Sequence, residues 1–180
     1  GTVNCTKACW DIMRDQGYGR VVVTTSSSGL YGNFGQSNYG AAKLGVIGLM
    51  NTLVQEGAKY DIRVNALAPT AGTRMTEGLI PEGAFELLSP ETVTPAVLYL
   101  VSGDAPNRTI LCAGAGAYAV AKIVETDGVW LAPDQQSPEG IAANWEAITS
   151  PRGEKVPQAG YEQTVKFTAK AAEGLGIELK

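Results

Sequence analysis

The sequence contains no histidine. This excludes the Ser-His-Asp and Cys-His mechanisms and removes the commonest protein ligand of transition metals, so no metal site is predicted. Acid-base chemistry near neutral pH would need another side chain whose pKa has been moved by its surroundings. Cysteine is scarce as well: Cys5 and Cys9 lie four residues apart, Cys112 stands alone, and no Cys-x-x-Cys pair occurs. This odd count favours reduced, structural thiols.

Basic clusters and long apolar runs are also missing. The 14 Lys and Arg residues are scattered singly and are outnumbered by 18 Asp and Glu, giving a net charge of −4, so nucleic acid is not an expected partner. No run reaches the ~18 apolar residues that a membrane span needs, and the first residues lack the pattern of a signal peptide. We therefore expect no membrane partner, and a protein of the cytoplasm or of an organelle matrix.

What the chain does contain is typical of a soluble globular protein, with 44% apolar and 18% charged residues. Helical and buried-strand patterns alternate along its first two thirds. In order, the pattern predicts a helix over 1–16, a strand over 20–25, a polar loop, a long helix over 37–59, a strand over 63–68, a helix over 91–102 and a strand over 109–113. This order predicts a Rossmann-like, doubly wound parallel α/β sheet.

The last third shows turn and capping signals. Alternating residues flank Asp127-Gly128, which predicts a hairpin there, and Ser137 is positioned to cap a following helix. Residues 150–159, rich in Pro, Gly and charge, indicate a linker before a final amphipathic helix over 161–173. We therefore divide the chain into a domain over 1–149 and a linker with terminal helix over 150–180.

Tyr39 and Lys43 are four residues apart at the start of the long predicted helix, which puts both side chains on one helix face. An ammonium beside a phenol lowers the phenol pKa from its usual value of about 10, which produces a proton donor and acceptor without histidine. Ser26, at the mouth of the first strand, could hydrogen-bond the same substrate oxygen. The alternative is that Tyr-x-x-x-Lys is an ordinary helix surface pair.

The stretch RVVVTTSSSGLYGNFGQSNYGAAK, with Ser26 thirteen residues before Tyr39, resembles the short-chain dehydrogenase/reductase family. The resemblance implies that Ser26, Tyr39 and Lys43 are catalytic, that Tyr39 and Lys43 also contact the cofactor, and that NAD or NADP is bound. Spacing favours Ser26 over Ser27 and Ser28. The stretch IRVNALAPTAGTRMTE resembles the family's nicotinamide loop, with Pro69, Thr70, Ala71, Gly72 and Thr73 as cofactor contacts, although the usual Pro-Gly is Pro69-Thr70 here.

A narrower resemblance, through SGLYGNFGQSNYGAAKLGVIGL, APTAGTRMTE and AANWEAIT, is to the (3R)-hydroxyacyl-CoA dehydrogenase domain of peroxisomal multifunctional enzymes and their bacterial relatives. It implies NAD-dependent interconversion of a secondary alcohol and a ketone in an acyl-CoA of fatty acid metabolism; animal members are also described as estradiol 17-beta-dehydrogenases. It further implies a peroxisomal or bacterial cytoplasmic location. A homodimer would form through the first helix and the Tyr39 helix, with Ala41, Gly45 and Gly48 facing the partner or, alternatively, packing on the sheet.

The glycine-rich turn on a first strand, expected in a complete dinucleotide-binding domain, has no counterpart in this sequence. The glycine clusters at 29–35 and 114–117 lack the strand, glycine loop and helix order, so we interpret both as structural. We therefore expect the later part of such a domain, with its amino-terminal half missing and an open sheet edge. An active dehydrogenase, an inactive fragment and a half-domain completed by oligomerisation all remain open hypotheses.

Overall fold

The computed structural model describes residues 1–74, 76, 78 and 81–179. They form two compact units, the first over Gly1–Ala121 and the second from Lys122 onward. The domain boundary predicted after residue 149 lies inside the second unit and remains a prediction.

The first unit alternates helices and strands in the predicted order. Its strands are β1 (Gly19–Thr24), β2 (Ile62–Pro69), β3 (Ile110–Gly114) and β4 (Ala117–Ala121). Its helices are α1 (Thr2–Gln16), α2 (Ser27–Tyr31), α3 (Ser37–Gly57), α4 (Glu82–Leu87) and α5 (Thr94–Leu100), with 3₁₀ turns at Ala58–Tyr60 and Pro90–Thr92. The sheet order is β1-β2-β3-β4; β1, β2 and β3 are parallel, and β4 is antiparallel to β3. The predicted Rossmann-like α/β class is confirmed.

Helices cover both faces of this sheet because side chains alternate along the strands. On one face Val64 and Ala66 of β2 pack in a core with α3, whose Ile47, Met50 and Leu53 recur at helical spacing. On the other face the core joins strand residues to α5. Its buried members are Leu67, Val93, Ala96, Leu100 and Ala113. The two cores are the physical basis of the doubly wound arrangement.

The polar loop predicted after β1 is wrong in one part, since residues 27–31 form the short helix α2. The Ser26 side chain accepts a hydrogen bond from the Ser28 backbone N–H at 3.2 Å and so caps the helix. Five residues carry too little periodicity to be recognised as a helix, and α2 is stabilised instead by its packing on α3.

The hairpin predicted at Asp127-Gly128 is also wrong, because the hairpin of the first unit turns at Ala115 and Gly116. Both residues have positive φ, 51° and 75°, as a two-residue type I′ turn requires. The alternating residues that follow this turn form β4, which pairs antiparallel with β3, the strand just before it in the chain. Asp127 instead binds Lys170 of the terminal helix at 2.8 Å.

The second unit contains the capped helix and the terminal helix that were predicted. Its helices are α6 (Pro138–Ala143), α7 (Trp145–Thr149) and α8 (Tyr161–Leu175), with a 3₁₀ turn at Pro133–Gln135. Ser137 accepts a hydrogen bond from the Gly140 N–H at 3.0 Å, as its capping role predicts. Trp130 packs directly on α8, since a Cβ added to Gly174 would lie 2.2 Å from its ring. This contact explains why residue 174 of α8 is a glycine, since any side chain there would collide with the Trp130 ring.

Strand β1 lies at the outer end of the sheet. A groove of about 530 Å³ runs beside it, between α1 and the strand. Its lining is mixed, with apolar residues such as Met13 and Val21 and charged residues Arg20 and Lys43. An edge strand of this kind can pair with a further strand.

Candidate active site

The predicted serine lies where β1 ends. The strand stops at Thr24, and Ser26 is half-buried at the amino end of α2. Ser27 and Ser28 fall within the first turn of the helix, where Ser28 supplies the N–H that Ser26 caps. Ser26 therefore differs from its two neighbours in its capping position, and its choice as the site serine remains a prediction from spacing.

Tyr39 and Lys43 both lie in the first turns of α3, one helical turn apart. The Lys43 Nζ atom is 5.7 Å from the centre of the Tyr39 ring. It also donates a hydrogen bond to the Thr24 carbonyl oxygen at 3.0 Å, which ties the lysine to the end of β1. Tyr39 is 41% exposed, so its side chain is partly open to solvent.

Helices α2 and α3 are packed closely enough to hold these residues in register. Gly29 is buried, and a Cβ added there would lie 2.7 Å from the Lys43 Cβ. A Cβ added to Gly40 would lie 3.3 Å from the Ser28 carbonyl oxygen. The serine helix and the Tyr39 helix therefore meet through glycine, whose missing side chain permits this approach.

Thr25 is a positioning residue that the sequence patterns did not single out. Its side chain is 1% exposed, and its hydroxyl donates a hydrogen bond to the Lys43 carbonyl oxygen at 2.6 Å. Its backbone N–H donates to the Leu67 carbonyl oxygen of β2 at 2.8 Å. A buried threonine at a strand end gives no sequence signal that distinguishes this role from ordinary strand propensity.

The predicted nicotinamide loop begins at the same end of the sheet. Thr24 pairs with Leu67, so the carboxyl ends of parallel β1 and β2 coincide, and β2 continues to Pro69 before the loop. The Thr70 N–H donates to the Ala113 carbonyl oxygen at 2.8 Å, and the Gly72 N–H donates to the Leu88 carbonyl oxygen at 2.6 Å. The loop is thus held against β3 and the end of α4.

The loop is closed on itself by Thr76. Its hydroxyl accepts a hydrogen bond from the Thr73 N–H at 2.8 Å, and its one proton can be donated to the Thr73 carbonyl oxygen at 3.0 Å or to the Ala71 carbonyl oxygen at 3.2 Å. Gly72 is in close contact with Phe85 of α4, because an added Cβ would lie 2.9 Å from the Phe85 carbonyl oxygen. The five predicted cofactor contacts, Pro69 to Thr73, therefore form an ordered turn. This turn lies at the carboxyl ends of the parallel strands, where Ser26 also lies.

The other sequence features fall outside this arrangement. The glycine cluster at 29–35 belongs to α2 and the turn before α3, and that at 114–117 is the β3–β4 hairpin. Trp10 packs against the α3 core, whereas Trp145 is 59% exposed. Across the part of the chain that the structure describes, no group of three or more acidic or cysteine side chains could hold a metal ion.

The parallel strand order and the helices on both faces of the sheet define a Rossmann-like, doubly wound α/β architecture. The profile of the short chain dehydrogenase family matches residues 1–82. A short-chain type dehydrogenase/reductase of Mycobacterium tuberculosis is 47% identical over 163 residues, covering 90% of this chain and 56% of the relative. The peroxisomal multifunctional enzyme type 2 of Mus musculus is 44% identical over 167 residues, covering 91% and 23% respectively.

Among solved structures, the full-length peroxisomal multifunctional enzyme type 2 of Drosophila melanogaster superposes with a TM-score of 0.83 at 33% identity. That match covers 97% of this chain and 32% of the insect protein. The chain is therefore similar to the short-chain dehydrogenase family over residues 1–82 and to peroxisomal multifunctional enzymes over most of its length, which confirms the resemblance inferred from the sequence. It spans little more than half of the mycobacterial relative and smaller shares of the multifunctional enzymes.

The relatives include both peroxisomal and bacterial proteins. None of the helices in the described ranges combines the length and the apolar character needed to cross a bilayer.

Proposed function

We propose that this chain carries the catalytic centre of a nicotinamide-dependent oxidoreductase that interconverts a secondary alcohol and a ketone in a 3-hydroxyacyl-CoA. The observation that carries the proposal is the convergence of Ser26, the Tyr39–Lys43 pair and the loop after β2 at one end of the sheet. The relatives support the substrate class, since they include an acetoacetyl-CoA reductase and a 3-oxoacyl-[acyl-carrier-protein] reductase.

Each side chain has a separate role in this reaction. The Tyr39 oxygen takes the hydroxyl proton of the alcohol during oxidation and returns it to the carbonyl oxygen during reduction. The Ser26 hydroxyl donates a hydrogen bond to the same substrate oxygen and holds it beside Tyr39. The Lys43 ammonium places positive charge beside the Tyr39 ring, which favours the transient phenolate.

A bound nicotinamide nucleotide would supply the hydride acceptor, and the residues at the sheet edge fit such a group. The half-buried ammonium of Lys43 and the hydroxyl of the partly exposed Tyr39 suit ribose hydroxyls. The backbone N–H groups of Thr70, Gly72 and Thr73 already donate within the chain, so the loop would meet the carboxamide NH₂ through its oxygen atoms. We infer NAD rather than NADP from the resemblance alone.

The proposal is tested by calorimetric titration of NADH and NADPH into the purified chain, followed by an assay of 3-hydroxyacyl-CoA oxidation through NADH absorbance. We expect saturable NADH binding and turnover. Tyr39→Phe should lose turnover while keeping its circular dichroism spectrum, because only the ionisable oxygen is removed. The matched control is Tyr99→Phe, which removes a hydroxyl from an exposed tyrosine of α5 and should leave turnover unchanged.

Two results would contradict the proposal. Turnover by Tyr39→Phe at the wild-type rate would remove Tyr39 from the chemistry. A folded chain that binds neither nucleotide would favour the alternative of an inactive half-domain, for which the groove beside edge strand β1 is the supporting observation.

A homodimer is part of the same proposal. Ala41, Gly45 and Gly48 are exposed on α3, and Cβ atoms added at the two glycines would meet no atom of the described residues within 4 Å. The alternative that these glycines pack on the chain's own sheet therefore finds no support, and a facing helix could approach them closely. Light scattering should show a dimer that Gly45→Leu dissociates. A monomeric wild-type protein would contradict the assignment.

A further inference from the structure

We propose that Tyr60 is a nucleophilic side chain that is esterified by activated acyl groups, which makes it a modification site separate from the candidate active site. Tyr60 is the last residue of the 3₁₀ turn that follows α3, whereas Tyr39 lies in the first turn of α3. Along the helix from Tyr39 to Gly57 the backbone rises by roughly 27 Å. The two tyrosines therefore lie near opposite ends of α3, and the inference is independent of the dehydrogenase chemistry proposed above.

The Tyr60 hydroxyl lies beside a fixed cation. Arg14, in the last turn of α1, donates a hydrogen bond from Nη2 to this hydroxyl at 3.3 Å, and its Cζ atom is 5.1 Å from the ring centre. Arg14 Nη1 is 3.1 Å from a carboxylate oxygen of Asp11, which is 82% exposed, so water screens that negative charge. The hydrogen bond to Tyr60 is exposed at the surface, while the half-buried ring packs against the α3 core. The ring is thus anchored and the oxygen stands beside a guanidinium.

Lys59 adds a second cation to the same tyrosine. Its Nζ atom is 4.9 Å from the centre of the Tyr60 ring. Asp61, the next residue along the chain, is already paired, because its carboxylate contacts Arg20 at 3.1 Å and Arg63 at 3.2 Å. Positive charge at Tyr60 therefore exceeds negative charge, which favours a negative hydroxyl oxygen.

The two cations favour the ionised form of the phenol, which is its nucleophilic form. Hydrogen bonding, chiefly from Arg14 and also from Lys59, lowers the pKa of Tyr60 from its ordinary value of 10.0. The phenolate oxygen attacks the carbonyl carbon of an activated acyl group and forms a C–O bond. The bond from that carbon to the leaving atom breaks, and the leaving group takes up the proton that the phenol lost. The product is a tyrosine ester, and the step needs neither an oxidant nor a reductant.

The test treats the purified chain with N-acetylimidazole at about pH 8, where an ordinary phenol with a pKa of about 10 is largely protonated. Peptide mass spectrometry follows acetylation of Tyr60 relative to Tyr99, which is 52% exposed on α5. Tyr60 should react several-fold faster than Tyr99, although its side chain is less exposed. Arg14→Met and Lys59→Met should each lower this ratio several-fold. Lys7→Met removes an exposed cation of α1 two helical turns away and should leave the ratio unchanged.

Three results would overturn the inference. A Tyr60 rate equal to or below that of Tyr99 would leave the contact with Arg14 a purely structural one. An unchanged ratio in Arg14→Met would show that the cation does not activate the oxygen. An acetyl group that resists hydroxylamine would lie on Lys59, because hydroxylamine cleaves a phenolic ester but not a lysine amide.

The reference tyrosine also reports whether each variant is folded. If Arg14→Met unfolds the chain, Tyr99 will be acetylated faster than in the wild type, and the exposed Lys59→Met then decides in its place. Tyr39→Phe should leave the rate at Tyr60 unchanged, so a failure of the proposed dehydrogenase function and a failure of this inference are observed separately.

Discussion

Replacing Gly29 with alanine tests the contact through which α2 positions α3. The added Cβ would lie 2.7 Å from the Lys43 Cβ, 3.0 Å from the Lys43 carbonyl carbon and 3.1 Å from the Leu44 backbone nitrogen. These obstacles are backbone atoms and a Cβ, which cannot rotate away. Carbon atoms in contact prefer about 3.5–4.0 Å, so α2 must move by about 1 Å relative to α3.

The expected loss of stability follows from two opposing effects. Overpacking of this kind costs about 1–3 kcal/mol. Alanine in place of a helical glycine stabilises the folded state by about 0.5–1 kcal/mol, because it reduces the entropy of the unfolded chain. The central values leave a net destabilisation of about 1 kcal/mol, which lowers the urea midpoint by about 0.5 M at an ordinary denaturant sensitivity.

Urea denaturation followed by circular dichroism measures this change, and turnover by the same protein measures its effect on the site. A displacement of about 1 Å at Lys43 should cost about 10-fold to 100-fold in kcat. Gly83→Ala is the matched control, because it makes the same change in α4, where an added Cβ meets no described atom within 4 Å. A Gly29→Ala protein with wild-type midpoint and wild-type kcat would refute the packing argument.

Three further predictions concern charge and capping. A hydrogen bond from Arg20 holds the pKa of Asp61 below its usual range. The ionised Asp61 carboxylate therefore stabilises the fold at pH values above its pKa in the unfolded chain. This stabilisation is lost as the pH falls through its pKa in the folded chain. A hydrogen bond from Arg14 lowers the pKa of Tyr60. The Tyr60 phenolate therefore adds to the free energy of unfolding as the pH rises through the lowered pKa of the folded chain. This stabilisation is complete above the pKa of Tyr60 in the unfolded chain. Ser137→Ala removes a helix cap and should cost the second unit about 1 kcal/mol.

Each of these has a direct measurement and a control. Urea midpoints from about pH 6 to about pH 2 should converge for wild type and Asp61→Asn; parallel curves would contradict the coupling. Ultraviolet titration against Tyr60→Phe should show Tyr60 ionising at higher pH in Arg14→Met; no change would exclude Arg14 as the cause. Ser137→Asp keeps an acceptor and should match wild type, and equal losses in both Ser137 variants would argue against capping.

The helices, the parallel strands and the identity of the candidate catalytic residues could be predicted from sequence because they depend on short-range patterns. The periodicity of Ile47, Met50 and Leu53 marks α3. The spacing of Ser26 from Tyr39 marks a strand end followed by a helix start. The Ser137 cap was recognised for the same reason, since its hydrogen bond reaches only three residues ahead.

The elements that sequence reasoning misplaced depend on partners far along the chain or on competition between neighbours. Asp127-Gly128 has a strong turn signal. The alternating residues before it nevertheless pair with β3, which is closer along the chain, and Asp127 forms an ion pair with Lys170. Helix α2 is too short to show a period and exists because α3 supports it.

The sequence by itself therefore determined the α/β class, because the regular spacing of side chains reports local geometry directly, and it indicated Ser26, Tyr39 and Lys43 as candidate site residues. Only the tertiary structure decided that Gly29 sets the distance between α2 and α3, and that Thr25 ties Lys43 to β1. It also decided that Phe34 is fully exposed in the turn that precedes α3. These features depend on which surfaces meet after folding, and residues distant along the chain meet only through packing of the whole sheet and its helices.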